Sequence, residues 1–457
     1  MSMAKPKLYF SRTSFLQNAS LAWPMTCNSL LMQSVTIIDL LLIAPLGEVS
    51  IAAFGIAGAI ISFVIGIQAA IANGSQLVLS RAAGAGDQRK VGLAVAAGWI
   101  CNLSFSSTAL LALLTGGSAV VARIAGNDAV ADEALAYILV SLILLLFASA
   151  SSVMVSYFNA NKKTRIPMYG FMIEIPTNVL ASFVFINGLL GMPKLGLAGA
   201  ALGSVIAIVI RFVYLAYRLY REKRQGFVSG FSVVNRLAVV EHVKEVVPIV
   251  SNFIVLLVGL LLFQVIFAQL PLPSYAAITL VLPWIKIGSM FANTWAQAST
   301  IMVSQSLGKK DYLSIPPFVY QSLFVTRVIS LFIALGFFFL SVSMPMIYPN
   351  LSPQTLSALA IIAPIYILLP LFRTNNMFCG NMIRAMGDSY MIVRINLLTQ
   401  WVICIPLCAL LVYLQAPLFL VFGVILFDEM IKLYSFRMTL ERRLNSYADE
   451  PTLVPDN

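Results

Sequence analysis

The chain has 457 residues, of which 60% are hydrophobic and 10% are charged, and its mean hydropathy is +0.91. This composition leaves too little polar surface to cover a water-soluble globule, so it predicts a polytopic membrane protein. The formal net charge of +11 comes from Lys and Arg in the predicted loops. That placement favours a topology signal and contact with the lipid bilayer, and it argues against nucleic-acid binding.

Apolar stretches of roughly 20 or more residues predict twelve transmembrane helices, and so an all-α membrane protein. The spans lie near residues 16–43, 50–79, 91–116, 134–157, 167–189 and 196–219, and then near 240–269, 274–305, 316–341, 355–383, 390–412 and 416–438. A polar linker over residues 221–240 separates the two sets of six. We therefore expect an N-lobe over residues 1–220 and a C-lobe over residues 241–457.

The two halves are copies of one another. An alignment that places Pro24 on Pro248 also places Asn28 on Asn252, and 13 of the 64 positions from 24 to 87 are then identical without a gap. We call this the repeat alignment. Because each half has an even number of spans, both begin on the same side of the membrane. The repeat is then parallel, with its axis along the membrane normal and a cavity between the two bundles.

Basic residues are concentrated in alternate loops. One set of loops and both termini carry nearly all the Lys and Arg outside the spans, whereas the other set holds only Arg123 and Lys194. This bias predicts cytoplasmic termini and a multi-pass protein of the cell (inner) membrane. The first apolar segment is too long for the hydrophobic region of a signal peptide, so we expect it to stay as a helix.

Asp39 is the residue that points most directly to function. It stands alone in the apolar run from Leu21 to Ile43, and the repeat alignment places Phe263 at the matching position of the second half. An ionised carboxylate at membrane depth is costly and therefore indicates a functional site. Scarce water there suits a group that loads and releases protons, although a purely structural role at a helix kink is the alternative.

The fifth predicted span supplies polar partners. Glu174, Asn178 and Ser182 recur every four residues and form one stripe on an otherwise apolar helix. Counted from Pro167, Asn178 and Ser182 match the depth of Asp39 better than Glu174 does. We expect Glu174 to gate the water path, with an interhelical contact as the alternative.

Other charged residues at membrane depth form a predicted ion pair or are candidate counter-ions. The spacing of Asp428 and Lys432 predicts an ion pair on one helix, with Glu429 beside it. Lys286 and Arg373 are candidate counter-ions or cavity residues, and the sequence does not name their partners.

Signatures of catalysis and of metal binding are missing from the sequence. The five Cys lie within predicted spans, and there is no phosphate-binding loop, zinc motif or nucleophile elbow. His242, the only His, lies at the start of the seventh span, where it is either structural or a proton relay. We therefore expect no enzyme activity, no metal and no cofactor.

Several motifs together resemble those of one transporter family. The first half contains WPMTCNSLL, then Asp39, APLGEVSIAAFG and GSQLVLSRAAGAGDQRKVG, and further on RIPMYGFMIEIPTNVLASFVFINGLLGMPKLGLAGAALGS. The second half contains AQASTIMVSQSLGKKD and NMIRAMGDSYMIVRINLLTQWVICIPL. In order and spacing, these segments are similar to the multidrug and toxic compound extrusion (MATE) family over nearly the whole chain.

The resemblance implies two six-helix lobes that alternate between inward- and outward-facing states and export bulky organic cations against inward H⁺ or Na⁺. Asp39 matches the acid of the family's first helix, and Asn178 matches the Asn of its fifth. Ser182 stands where some proton-coupled relatives have a second acid. Residues 247–270 and 361–384 hold no acid, where many sodium-coupled relatives have one.

The sequence therefore predicts a drug antiporter that is driven by H⁺, with Asp39, Asn178, Glu174 and Ser182 as the proton-coupling residues. We expect it to act as a monomer. Three alternatives stay open at this point. They are a Na⁺-coupled drug antiporter, a lipid-linked oligosaccharide flippase of the same wider fold group, and a membrane enzyme acting on lipids.

Overall fold

The computed structural model describes residues 11–222, 234–349 and 351–449. Residues 223–233 of the predicted linker lie outside the described part of the chain. The regular structure of the described part is helical, and its twelve long helices confirm the predicted fold class. They are α1 Arg12–Ile43, α2 Glu48–Gly84, α3 Gln88–Ala125, α4 Asp128–Ala160, α5 Arg165–Asn187, α6 Leu197–Arg221, α7 Arg236–Phe267, α8 Leu272–Gly308, α9 Ile315–Ile347, α10 Pro353–Ala385, α11 Ser389–Tyr413 and α12 Leu418–Asp449.

Eleven of the described helices, α1 to α11, are long and apolar enough to cross a membrane. Helix α12 carries more charge, but its buried charges are paired. Lys432 binds Asp428 one turn away, which confirms the predicted ion pair, and Arg373 Nε donates to Glu429 Oε1 at 2.8 Å. Pairing offsets part of the cost of removing these charges from water.

Polar residues fix the ends of several helices. Asp87 accepts hydrogen bonds from the backbone N–H groups of Arg89 and Lys90 at the start of α3, and Asn127 caps α4 in the same way. Such caps satisfy N–H groups that have no partner within the helix. They explain why the short turns between long apolar helices begin and end where they do.

The described helices form two compact units. The first unit covers Trp23–Val250, and the second joins Met1–Ala22 to Ser251–Asn457. The units differ from the lobes that the linker predicts, because the beginning of α1 groups with the second half of the chain and the beginning of α7 with the first half. Both boundaries lie close to a Pro inside a helix, Pro24 in α1 and Pro248 in α7. A Pro removes one helical hydrogen bond, so each boundary is a point where the helix bends readily.

Each unit has its own apolar core. In the first unit α2 packs against α3 and α4, and α6 packs against α4 and α5. Its fully buried side chains include Ile43, Ile138, Leu145 and Leu215. In the second unit α10 packs against α8, α9 and α12, around Phe267, Ile278, Tyr366 and Phe422.

The contact between α5 and α6 depends on two glycines. Gly199 and Gly203 are one turn apart on α6, and a Cβ atom at either would lie too close to the α5 backbone, 2.6 Å from the Phe185 carbonyl oxygen or 2.5 Å from the Ser182 nitrogen. Small residues at this spacing let membrane helices approach closely. The approach fixes the position of the polar face of α5.

We expect Gly203→Ala to destabilise the protein by about 1–3 kcal/mol, because the added methyl group must push α5 away from α6. The measurement is thermal unfolding of purified protein in detergent. Gly58→Ala is the matched control, since nothing lies within 4 Å of the position that a Cβ would take there. Equal unfolding temperatures for the two variants would show that the close approach is not needed.

Candidate functional site

Asp39 lies on α1 in the first unit and is buried, with 7% of its surface exposed. Its Oδ1 atom is buried and has no hydrogen-bond partner in the described part of the chain. Asn178 on α5 is a hydrogen-bonding neighbour of the carboxyl group. None of the ion pairs between described residues includes Asp39, so its charge is not balanced by a Lys or Arg in direct contact.

Asn178 connects Asp39 to α6. Its Nδ2 atom donates to Ser204 Oγ at 2.8 Å, while its Oδ1 atom is buried and unpaired. Two neighbouring side chains, Asp39 and Asn178, therefore each keep one oxygen that could accept a further hydrogen bond or contact a cation. Unpaired buried acceptors are uncommon and need a reason, such as a bound ion, a water molecule or a proton.

Glu174 lies one turn before Asn178 and forms a buried ion pair. Arg211 Nη1 on α6 donates to Glu174 Oε2 at 2.5 Å, and the Arg211 guanidinium also lies over the Phe171 ring, 4.3 Å from its centroid. Glu174 is close enough to Asp39 for the two carboxylates to interact electrostatically. The site thus contains two acids and one base, and the base is already paired.

Tyr137 on α4 completes the surroundings of Asp39. It is buried, and it lies close enough to Asp39 for the carboxylate charge to act on its phenol group. A phenol offers one hydrogen-bond donor near this acid, whose Oδ1 atom is unpaired. Helices α1, α4, α5 and α6 therefore all contribute to the site.

Ser182 has a different role in this structure. Its hydroxyl donates to the Ala200 carbonyl of α6 at 3.3 Å, and it packs at Gly203. The structure therefore brings Asp39, Asn178 and Glu174 together, while the Ser182 hydroxyl is bonded to α6. All three residues of the α5 stripe therefore bond to α6, and two of them, Asn178 and Glu174, also lie near Asp39.

Sequence reasoning overlooked three residues of this site. Arg211 was detectable, since it is a cation in the middle of the sixth predicted span, but its pairing with Glu174 depends on how α5 and α6 meet. Tyr137 and Ser204 gave no comparable signal, because Tyr and Ser are common in the chain.

The second unit has no equivalent acid at this position. Phe263 occupies the repeat-related place, is 5% exposed and stacks on Phe267 with ring centroids 6.0 Å apart. The two cations that the sequence singled out in this unit are not near such an acid. Arg373 binds Glu429, and Lys286 is exposed. Among the described residues, no group of three or more His, Cys, Asp and Glu could hold a metal ion.

A duplicated bundle of twelve helices, with ionisable groups buried in the first copy, defines an all-helical membrane transporter. The MatE family model matches residues 24–184 and 248–410, and these two segments begin at Pro24 and Pro248, the pair on which the repeat alignment is anchored. The chain therefore belongs to the MatE family, the multidrug and toxic compound extrusion transporters.

Curated relatives agree with this assignment. The chain is 24% identical over 413 residues to the uncharacterized transporter YisQ of Bacillus subtilis, a match that covers 86% of each protein. It is 30% identical over 198 residues to a probable multidrug resistance protein NorM of Bradyrhizobium diazoefficiens, which covers 42% of this chain and 41% of the relative.

Solved structures show the same fold. The bent form of the Vibrio cholerae MATE transporter VcmN superimposes with a TM-score of 0.84 at 19% identity, covering 95% of this chain and 98% of that one. A MOP superfamily transporter from Pyrococcus furiosus gives a TM-score of 0.83 at 14% identity, covering 95% and 96%.

We expect Arg211→Met and Glu174→Gln each to cost about 3 kcal/mol of stability, because each leaves one charge buried without its partner. The double variant should cost clearly less than the sum of the two, since it removes both charges. The measurement is a double-mutant cycle of unfolding free energies in mixed micelles. Additive effects would mean that the two groups do not stabilise one another.

Proposed function

We propose that this transporter is a secondary active antiporter that exports bulky organic cations in exchange for inward H⁺, with Asp39 as the proton-coupling carboxylate. Membership of the MatE family and the NorM relatives, named as probable multidrug resistance proteins, support the substrate class. The buried position of Asp39 supports its role in coupling.

The observation that carries this proposal is the charge balance around Asp39. Glu174 is neutralised by Arg211, whereas Asp39 has no basic partner among the described residues. Removing an unpaired carboxylate from water is costly, so binding a positive charge stabilises the site. A proton and a cationic drug both bring one positive charge, and they would compete for the same carboxylate.

Competition of this kind gives exchange. A proton taken up from outside neutralises Asp39, which removes the attraction for a cationic drug and weakens the hydrogen bond from Asn178. Loss of the proton to the cytoplasm restores the charge and the affinity for the drug. The cycle requires only that proton and drug each prefer a different conformation.

The unpaired oxygens also support Na⁺ as an alternative coupling ion. Asp39 Oδ1 and Asn178 Oδ1 are both buried without partners in the described part of the chain, and oxygen atoms of carboxylates and amides suit a hard cation such as Na⁺. Two such oxygens are few for Na⁺, which needs further ligands from backbone or water. We therefore place H⁺ first and keep a Na⁺-coupled antiporter as the alternative.

The proposal also covers the membrane location, the partners and the oligomeric state of the protein. The distribution of Lys and Arg supports cytoplasmic termini and insertion in the cell (inner) membrane. Coupling ions and organic cations are then the partners, and one chain holds the whole site, which supports action as a monomer. Glu174, with its Arg211 partner, would act as the gate on the water path to Asp39.

The deciding experiment uses purified protein in liposomes and follows a fluorescent organic cation under an imposed pH gradient or an imposed Na⁺ gradient. We expect the pH gradient to drive transport and Asp39→Asn to reduce it to the level of empty liposomes, because Asn cannot exchange a proton.

Asp132→Asn is the control, since Asp132 is an exposed acid in the first turns of α4. Transport that responds only to Na⁺ would keep the antiporter and change the coupling ion. An Asp39→Asn variant that transports at the wild-type rate would exclude Asp39 as the coupling residue, and no movement of the cation under either gradient would overturn the proposed substrate.

A further inference from the structure

The first turns of α1 and α7 are each held by one buried hydrogen bond. Asn18 on α1 donates from Nδ2 to Ser299 Oγ on α8 at 2.9 Å, within the second unit. His242 on α7 bonds through Nε2 to Ser75 Oγ on α2 at 2.8 Å, within the first unit. All four side chains are at most 3% exposed.

These two bonds occupy the same place in the two repeats. The repeat alignment carries Asn18 onto His242 and Ser75 onto Ser299. In each bond, a residue from the start of one half's first helix reaches a Ser on the second helix of the other half. We call the pair of bonds the paired clasps.

The chemistry of the two clasps also matches. Ser75 Oγ donates to the Ile71 carbonyl and Ser299 Oγ donates to the Trp295 carbonyl, both at 3.0 Å and both to a residue one turn earlier on the same helix. Because a hydroxyl has one proton, each Ser must accept from its partner. His242 therefore carries a proton on Nε2 and does what the amide of Asn18 does in the other clasp, a tautomer assigned from the hydrogen-bond network.

Two buried hydroxyls, each five residues after a clasp Ser on the same helix, are left unsatisfied. Ser80 and Ser304 are also related by the repeat alignment, both are 0% exposed, and neither hydroxyl has a partner in the described part of the chain. Asn18 Oδ1 is likewise buried and unpaired there. If the helices never separated here, apolar side chains at these positions would pack at least as well as the unpaired polar ones, because an unpaired buried polar group costs free energy. Water would satisfy these groups if the contacts opened.

Further contacts hold the same helix ends. Arg81 Nη1 on α2 binds Glu245 Oε1 on α7 at 3.0 Å, and Gly74 lies so close to Val246 that a Cβ would meet its backbone at 3.1 Å. In the other clasp, the Phe15 and Trp295 rings pack with centroids 5.9 Å apart. Ser75 and Ser299 lie in the second halves of α2 and α8, towards the ends that lead into basic loops, the side that the topology assigns to the cytoplasm.

We propose that the paired clasps are the cytoplasmic gate of this transporter: the Asn18–Ser299 and His242–Ser75 bonds hold the gate closed and both break when the Asp39 site opens to the cytoplasm. Water then reaches the two unpaired serines and stabilises the open state. This inference rests on the proposed function in one respect, since it takes the transport cycle as the process that opens the gate.

The first test measures opening directly and needs no substrate. Ser80→Cys and Ser304→Cys serve as reporters, because these hydroxyls make no bond to a described residue that the change would remove. A membrane-impermeant maleimide is added to the cytoplasmic side of inside-out vesicles, and peptide mass spectrometry separates the reporter from the five native Cys. We expect Asn18→Ala to speed labelling of Ser304→Cys, and His242→Ala that of Ser80→Cys, by about fivefold, the weight of one hydrogen bond.

His242→Asn is the matched control, because it keeps an N–H donor and reproduces the residue of the other clasp. It should leave the labelling rate at the level of the unsubstituted reporter. Cys379, which is 2% exposed, reports unfolding, and its labelling should stay slow in every variant. Labelling that is unchanged by both Ala variants would overturn the gate.

The second test holds the gate closed with a covalent cross-link. Asn18→Cys with Ser299→Cys, or His242→Cys with Ser75→Cys, is cross-linked by a short bifunctional thiosulfonate that a reductant removes. We expect cross-linked protein to lose cation transport and reporter labelling, and the reductant to restore both. Cross-linked protein that transports like reduced protein would overturn the gate. If the wild-type protein moves no organic cation, the proposed substrate is wrong. The labelling experiment then tests the gate by itself.

Discussion

The cost of placing charge where water is scarce is the constraint on which the rest of this structure depends. Three acids at membrane depth have a basic partner, since Glu174 binds Arg211, Glu429 binds Arg373 and Asp428 binds Lys432. Pairing makes such groups tolerable where water is scarce. Asp39 has no such partner among the described residues, and this difference is what supports its proposed role in coupling.

Duplication explains both the scaffold and its asymmetry. The two repeats share the Pro that lies next to the unit boundary, the serines of the clasps and the lengths of their first two helices, 32 and 37 residues. The proposed gate, in which both copies open together, accounts for these shared positions. The position of Asp39 is free to differ, and in the second unit Phe263 fills it and stacks on Phe267. One copy thus has a buried acid at this position, while the other packs an apolar core at the same place.

Much of this was predictable from sequence, because helix length and apolar periodicity follow from the membrane itself. The twelve helices and the ion pair of Asp428 with Lys432 are confirmed, and the stripe of α5 places Asn178 beside Asp39. The pairing of Glu174 with Arg211 was not predictable, since it depends on the close approach of α5 and α6 at Gly203. That same approach turns Ser182 towards α6. The sequence also did not predict that the beginnings of α1 and α7 each group with the other half of the chain, because that grouping depends on tertiary contacts and not on hydropathy.

The equivalence of Asn18 and His242 shows what a repeat can reveal that a single residue cannot. Taken alone, a buried His invites the interpretation of a proton relay, because its ring can carry a proton at either nitrogen. The repeat-related bond is made by an amide, which cannot titrate, and its geometry is the same. A group whose counterpart works without titrating is therefore best explained as a hydrogen-bond donor. Under the two proposals, proton coupling and gate closure belong to different residues, Asp39 for the first and the paired clasps for the second.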